Sequence, residues 1–154
     1  MKLSHLVQKE EFKMLNRCYT ELIQLPTFKE RYEYLRLGGI VGQDTFGFDR
    51  YLNQKFYHSA EWKRIRRDVI IRDEGRDLAM EGYELQGNIF IHHMNPISPN
   101  DLIDITDYVI NPEYLVCVSK RTHDAIHFGD ASLLPQLPIE RKPNDTCLWK
   151  QTAN

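Results

Sequence analysis

The stretch "IFIHHMNPI", residues 89–97, decides how this chain is read, because it places two histidines side by side behind a short β-branched and aromatic run. Successive side chains on a strand point to opposite faces of the sheet. His92 and His93 therefore face different partners and cannot simply be two ligands of one metal ion. One imidazole can be a ligand and the other a general base near neutral pH. The alternative is a buried pair satisfied by backbone carbonyls.

A second pair of histidines lies in "KRTHDAIHFGD", residues 120–130, which is predicted to form one helix ended by Gly129. His123 and His127 are four residues apart, so a helix places them on one face at the spacing of two ligands for one metal. Alone, the pair could equally be surface or capping histidines near a helix C-terminus. If one histidine of the first pair faces this helix, three nitrogen ligands leave coordination positions for water and substrate.

The composition is that of an ordinary globular protein. The chain has 154 residues, 42% of them hydrophobic and 27% charged, with a net charge of −2. Its three scattered cysteines argue against a disulfide framework, and no C-x-x-C pair offers a structural zinc site. No apolar run approaches a membrane span, and the N-terminus lacks the apolar region of a signal peptide. We therefore expect a cytoplasmic protein with no membrane partner.

The N-terminal half is predicted to be mostly helical. Residues 3–37 have helical periodicity that Pro26 interrupts, and Thr27 with Glu30 has the chemistry of a capping box. Residues 38–58, rich in glycine and aromatic side chains, are predicted to be an ordered connector. Ser59 is the predicted N-cap of a further helix, without a capping box, which Gly75 ends.

The C-terminal half is predicted to mix strands and short helices. Residues 77–93 are predicted to form two short strands joined by a turn between Gly82 and Gly87. A short helix is expected over residues 101–108, capped by Asn100 or Ser98. The tail after Pro135 is expected to be an extended arm or partly disordered.

From Trp62 to Asp130 the chain resembles the HNH endonucleases, also called ββα-metal or His-Me finger nucleases. "EWKRIRRDVIIRDEG" resembles their leading helix, "IFIHHMNPI" their first motif, and "NPEYLVCVSKRTHDAIH" their asparagine and closing helix. The resemblance implies an α+β fold with a ββα-metal HNH core at residues 59–130. It also implies an N-terminal helical extension and connector at 1–58 and an irregular C-terminal tail at 131–154. These flanking segments are similar, more weakly, to small HNH proteins of phages and prophages of Gram-positive bacteria.

The resemblance also implies roles for individual residues in a metal-dependent DNA endonuclease. His93 matches the catalytic general base, and Asn111 matches the catalytic asparagine that orients the active-site loop. His92, His123 and His127 match the metal ligands of the colicin-type members, although His127 could instead contact another ligand or a phosphate. They imply one divalent metal ion: Mg²⁺, Mn²⁺, Ni²⁺ or Zn²⁺. Two other functions stay open, namely a phage DNA-binding or packaging accessory protein with little cleavage activity, and a metal-storage or zinc-structural domain.

The sequence departs from the family at the place of its zinc-binding cysteines. Asp77 and Met80 stand where many members carry a C-x-x-C pair, and Thr122 stands where a cysteine often precedes the closing histidine. We therefore expect no structural zinc, and packing against the N-terminal segment in its place. Double-stranded DNA is the expected partner, with phage packaging proteins as further candidates. Basic residues could track the DNA backbone or simply form a solvated face: Arg64, Arg67, Arg72, Arg76, Lys120 and Arg121.

Overall fold

The structure, a computed structural model, describes residues 16–37, 50–80, 84–85 and 87–135. Within these ranges the chain mixes helices with one small sheet, as the predicted α+β class requires. The predicted helix over residues 3–15, most of the connector and the C-terminal tail beyond Pro135 lie outside the described residues.

Two antiparallel strands form the sheet, β1 (Phe90–His93) and β2 (Leu115–Val118). Their register pairs His92 with Val116 and His93 with Leu115. The predicted partner of β1 was wrong, because residues 77–80 form no strand and a single antiparallel bridge joins Arg76 to Glu84. The reason is burial: all four residues of β2 are buried, so β2 offers β1 a fully apolar partner.

Seven α-helices surround this sheet in the described part of the chain. They are α1 (Tyr19–Leu22), α2 (Phe28–Leu35), α3 (Arg50–Tyr57), α4 (Ala60–Arg72), α5 (Pro99–Asp104), α6 (Asp107–Ile110) and α7 (Lys120–Phe128). Short 3-10 turns follow α6 and α7, at Pro112–Tyr114 and Ala131–Leu133. The helices α5 and α6 lie between the two strands in sequence, and α7 follows β2 directly.

Several predicted helix ends are confirmed by their hydrogen bonds. Thr27 and Glu30 form the predicted capping box of α2. The Ser59 side chain accepts from the backbone N–H of Trp62 at the start of α4. Gly129 ends α7 with φ +66, a left-handed conformation that favours glycine. Local capping chemistry therefore sets these boundaries.

Three predicted elements differ from the structure. The N-terminal helix is not continuous, because residues 16–18 are not helical. There the Arg17 N–H donates to Asn95 Oδ1, and the Asn95 side chain donates back to the Arg17 carbonyl. Part of the expected connector is helix α3. The single helix expected over residues 101–108 is two, α5 and α6, because Ile105 adopts φ +50 between them; Ser98 is the cap of α5.

A hydrophobic core lies on each face of the sheet, since the side chains of both strands alternate. The first core joins α1, α2 and α7 to one face and contains Leu22, Leu35, Val116, Val118 and Ile126. The second joins α4, α5 and α6 to the other face and contains Trp62, Val69, Leu102, Val109 and Leu115. Helices from both cores therefore pack on this two-stranded sheet, which holds the histidine pair.

Candidate metal centre

Strand β1 points His92 into the core that contains α7. His92 is 1% exposed, and its cross-strand partner Val116 belongs to the same core. Because α7 begins two residues after β2, it packs back over this face, and its buried residues Ala125 and Ile126 lie in the same core. The helical spacing of His123 and His127 then turns both imidazoles toward His92.

The three imidazoles of this cluster are close enough to share one ion. The ligand atoms of His92, His123 and His127 all lie within 4.8 Å of one another. The His92 ring centroid is 5.5 Å from that of His123 and 5.1 Å from that of His127, with the rings nearly perpendicular in both pairs. The centroids of His123 and His127 are 4.3 Å apart. The structure thus brings together the three predicted ligands, which could hold a metal ion.

Burial favours the neutral form of the imidazoles in the cluster. Burial lowers the pKa of His92 well below 6.5, and the neighbouring imidazoles His127 and His123 and the charge of Arg17 lower it further. Burial also lowers the pKa of His123, although a hydrogen bond to Asp124 opposes the shift. Neutral imidazoles are the form that binds metals.

The His92 nitrogens provide the test of whether a metal fits. Both Nδ1 and Nε2 of His92 are buried and have no hydrogen-bond partner among the described residues. An unpartnered buried polar atom is costly, and an ion or ordered water is the usual explanation. Three imidazoles are a donor set that suits Zn²⁺, Ni²⁺ or Mn²⁺ and leaves further positions open. The residues present therefore fit a single divalent cation.

His93 lies on the opposite face of β1, in an aromatic enclosure. Its ring stacks on the indole of Trp62, with centroids 5.5 Å apart and planes 15° apart. The Tyr57 ring meets it edge-on, with centroids 6.2 Å apart. Trp62 is buried and belongs to the second core. The second histidine therefore has no place in the metal cluster, as strand alternation predicted.

The hydrogen bonds of His93 define its tautomer. Its imidazole bonds to the backbone of Val109, and this bond raises the pKa of His93, as donation to the carbonyl does. The buried Nε2 has no partner among the described residues. Burial outweighs the hydrogen bond and lowers the pKa of His93 to about 4. At neutral pH the ring is neutral, with Nδ1–H held by Val109 and the lone pair on Nε2.

Asn111 lies directly after α6, the helix that carries the Val109 carbonyl. Its Oδ1 accepts the backbone N–H of Glu113, which caps the 3-10 turn Pro112–Tyr114. That side chain therefore fixes the path of the chain between α6 and β2. The orienting role of Asn111 stays a prediction, and the contact shown for its side chain is this cap.

The predicted DNA-contacting residues fall into two groups. All except Arg72 are exposed. Three of them form ion pairs at the surface: Arg67 with Asp68 at 3.5 Å, Arg76 with Glu74 and Glu84 at 3.8 Å, and Lys120 with Asp124 at 2.6 Å. Arg64 and Arg121 are exposed to solvent. Exposed pairs of this kind are weak, so these side chains are free to exchange partners.

Arg72 serves the fold instead. Its guanidinium binds both carboxylate oxygens of Asp73, at 2.7 and 3.1 Å, and donates to the carbonyls of Pro112 and Leu115. It also lies 3.6 Å from the ring centroid of Tyr19. With its donors used in this way, Arg72 ties α4 to β2 and is a poor candidate for a DNA contact.

The sequence did not indicate three neighbours of the site. Trp62 and Tyr57 enclose the His93 ring, and the backbone of Val109 bonds to it, yet nothing in their spacing marks these residues as part of a site. No spacing rule indicates them, because they come from α3, α4 and α6 and meet only in the folded chain.

The comparisons with known proteins add no relative. No family model, no curated protein and no solved structure matched the chain. Among the described residues, no helix has both the length and the apolar character needed to cross a membrane.

Proposed function

We propose that this protein is a metal-dependent endonuclease that hydrolyses phosphodiester bonds of DNA. One observation carries the proposal: a cluster of three imidazoles lies on one face of β1, and a neutral imidazole with a free Nε2 lies on the other. A ligand cluster beside a general base is the minimum that metal-assisted hydrolysis needs. The resemblance to HNH endonucleases supports the same assignment.

In this proposal His93 accepts a proton from water at Nε2, while the Val109 carbonyl holds Nδ1–H in place. Trp62 and Tyr57 restrict the rotation of the ring, so the lone pair keeps one direction. His92, His123 and His127 would hold the cation. When bound, a divalent cation supplies positive charge to the scissile phosphate and to the leaving 3′ oxygen.

DNA would approach along the exposed basic residues near the site. Lys120 and Arg121 open α7, the helix that carries His123, so a phosphate at this helix start would lie close to the cluster. The exposed pair of Lys120 with Asp124 costs little to break in water. Arg64 and Arg67 on α4 would contact the DNA backbone at a greater distance from the cluster. Phage packaging proteins stay a proposed second class of partner.

A plasmid-nicking assay tests the proposal. Wild-type protein is incubated with supercoiled DNA and Mg²⁺, Mn²⁺, Ni²⁺ or Zn²⁺, beside His93→Ala and the matched control His58→Ala. His58 is an exposed histidine outside the cluster. We expect nicking by wild type and His58→Ala and its loss in His93→Ala. Equal inactivity of wild type and His93→Ala under all four metals would remove the enzyme assignment.

A second candidate function has one observation in its favour. The His93 Nε2 atom is buried beneath the aromatic enclosure, so water must gain access before this atom can act as a base. A DNA-binding or packaging accessory protein would keep the fold and the metal without cleavage. It predicts a DNA mobility shift that survives His93→Ala and no nicking by either protein.

A further inference from the structure

A buried carboxylate holds the N-terminal turn of α7, the helix that carries two of the three clustered histidines. Asp77 is 1% exposed and lies 42 residues before Ser119, the N-cap of α7. Its Oδ2 accepts the Ser119 N–H at 3.1 Å and the Thr122 hydroxyl at 2.5 Å. Its Oδ1 accepts the Ala79 N–H at 3.0 Å. Among the described residues, the hydrogen bonds of this carboxylate thus join residues 77–79 to residues 119–122.

These bonds complete the cap of α7 in an unusual way. Ser119 is the N-cap, and its hydroxyl accepts the Thr122 N–H at 3.1 Å. In a capping box, a Glu or Gln at the position of Thr122 would reach back to the N-cap N–H. Threonine is too short to do so, and the Ser119 N–H goes to Asp77 instead. A residue from a distant segment therefore supplies the second half of the box, beside the positive end of the helix dipole.

The segment that carries Asp77 also lies along β2. Leu78 N–H donates to the Cys117 carbonyl at 3.1 Å, and the Cys117 N–H donates to Asp73 Oδ2 at 2.9 Å. Residues 73–79 thus cover the edge of β2 that β1 does not pair with. The position of Asp77 is fixed by the strand, and the position of α7 is fixed by Asp77.

The first turn of α7, which Asp77 contacts, is followed directly by the histidines of the metal cluster. Thr122 precedes His123, and one helical turn later comes His127. Thr122 is fully buried, so its hydroxyl has no access to water as an alternative partner. Releasing this turn would let the end of α7 fray, and the His123 imidazole would move relative to His92 on β1.

We infer that Asp77 is a positioning residue for the metal centre, which through Ser119 and Thr122 fixes the register of α7 so that His123 and His127 meet His92. This inference rests on the proposed function for the role of the metal. The latch itself, defined as Asp77, Ser119 and Thr122, requires only the described contacts. Asp77 touches no ligand, and it acts through the helix.

Two variants of Thr122 separate positioning from packing. Thr122→Val keeps the volume and removes the hydroxyl, whereas Thr122→Ser keeps the hydroxyl. Ile65→Val, a buried change in the core on the other face, serves as a control for a general loss of stability. Zn²⁺ is the probe, titrated into the full-length proteins by calorimetry. Amide hydrogen exchange across α7 is the second measurement.

For Thr122→Val we expect the dissociation constant for Zn²⁺ to rise about tenfold or more, as for other residues that support ligands indirectly. Its first-turn amides of α7 should exchange faster. Thr122→Ser and Ile65→Val should stay close to wild type in both measurements. Asp77→Asn should resemble Thr122→Val, and the double variant should add little, because both changes remove one network.

The inference is overturned if Thr122→Val and Asp77→Asn bind Zn²⁺ as wild type does, or if their α7 amides remain equally protected. The two proposals can also fail separately. If Zn²⁺ affinity depends on the latch but no metal supports DNA cleavage, the inference about Asp77 holds and the proposed nuclease function is wrong. If wild type binds no Zn²⁺, the metal role of Asp77 is wrong together with the proposed centre. Hydrogen exchange would then report on the helix alone.

Discussion

His92 and His93 are adjacent in sequence, yet their imidazoles belong to opposite faces of the sheet. The His92 ring lies 5.1 Å from that of His127, while the His93 ring stacks on Trp62 at 5.5 Å. The backbone of β1 separates a cluster that could hold a cation from a single buried imidazole. The two adjacent imidazoles are thereby prevented from binding the same ion together.

Replacing His92 with leucine should separate metal binding from stability. Burial of two unpartnered nitrogens costs free energy, so metal-free His92→Leu should be as stable as wild type or more stable by about 1 kcal/mol. Zn²⁺ at about 100 times its dissociation constant should stabilise wild type by about 2.7 kcal/mol and leave the variant unchanged. Urea denaturation with and without Zn²⁺ measures both effects. Equal Zn²⁺ stabilisation of the two proteins would argue against His92 as a ligand.

The stability of the metal-free protein should depend on pH through its histidines. His92 has a pKa well below 6.5 in the folded protein, and that of His93 is about 4. Below pH 6.5 the unfolded chain takes up protons that the native protein does not, so stability falls as the pH falls. The slope should approach about 1.4 kcal/mol per pH unit for each imidazole.

Urea denaturation from about pH 7.5 to about pH 5 measures this slope. In His92→Leu the slope of the free energy of unfolding against pH should be smaller by the contribution of one imidazole. His58→Ala, at an exposed position, serves as the control. A wild-type stability that stays constant or rises across this range would contradict the prediction.

Substitutions of Arg72 and of Arg64 or Arg67 on α4 should have opposite effects on stability and on DNA binding. Arg72→Ala leaves the buried Asp73 carboxylate without its cation and should lower the free energy of unfolding by about 3 kcal/mol. Arg64→Ala and Arg67→Ala, both at exposed positions, should leave stability within about 0.5 kcal/mol of wild type. If α4 contacts DNA, these two variants should weaken DNA binding and reduce its dependence on salt. Loss of DNA affinity in a stably folded Arg72→Ala protein would show that Arg72 contacts DNA after all.

Trp62 should matter for the rate of the reaction more than for metal binding. Trp62→Phe keeps a ring in the enclosure, whereas Trp62→Ala removes the surface on which His93 stacks and should cost about 3 kcal/mol of stability. At a temperature where both variants are folded, we expect Trp62→Ala to lose kcat with little change in Zn²⁺ affinity. Trp62→Phe should retain most of the activity. If Trp62→Ala lost Zn²⁺ affinity as strongly as it lost kcat, the cause would be disruption of the sheet and not greater mobility of the His93 ring.

The sequence by itself determined the local features. Alternation along "IFIHHMNPI" assigns the two imidazoles to different faces, and the spacing of His123 and His127 puts them on one face of a helix. The caps at Thr27, Ser59 and Gly129 were also predictable. Each of these features depends on residues at most four positions apart, and the geometry of helices and strands fixes such relations.

Only the tertiary structure decided which distant groups meet. It paired β1 with β2, left residues 16–18 outside any helix where Arg17 binds Asn95, and committed Arg72 to Asp73 and two carbonyls. It also brought Val109 to His93 and Asp77 to α7. Such choices depend on which apolar surfaces can be buried together and on the need to satisfy every buried polar group. Neither condition can be evaluated from a short window of sequence, so the sequence indicates the candidate ligands and the candidate base but not the groups that hold them.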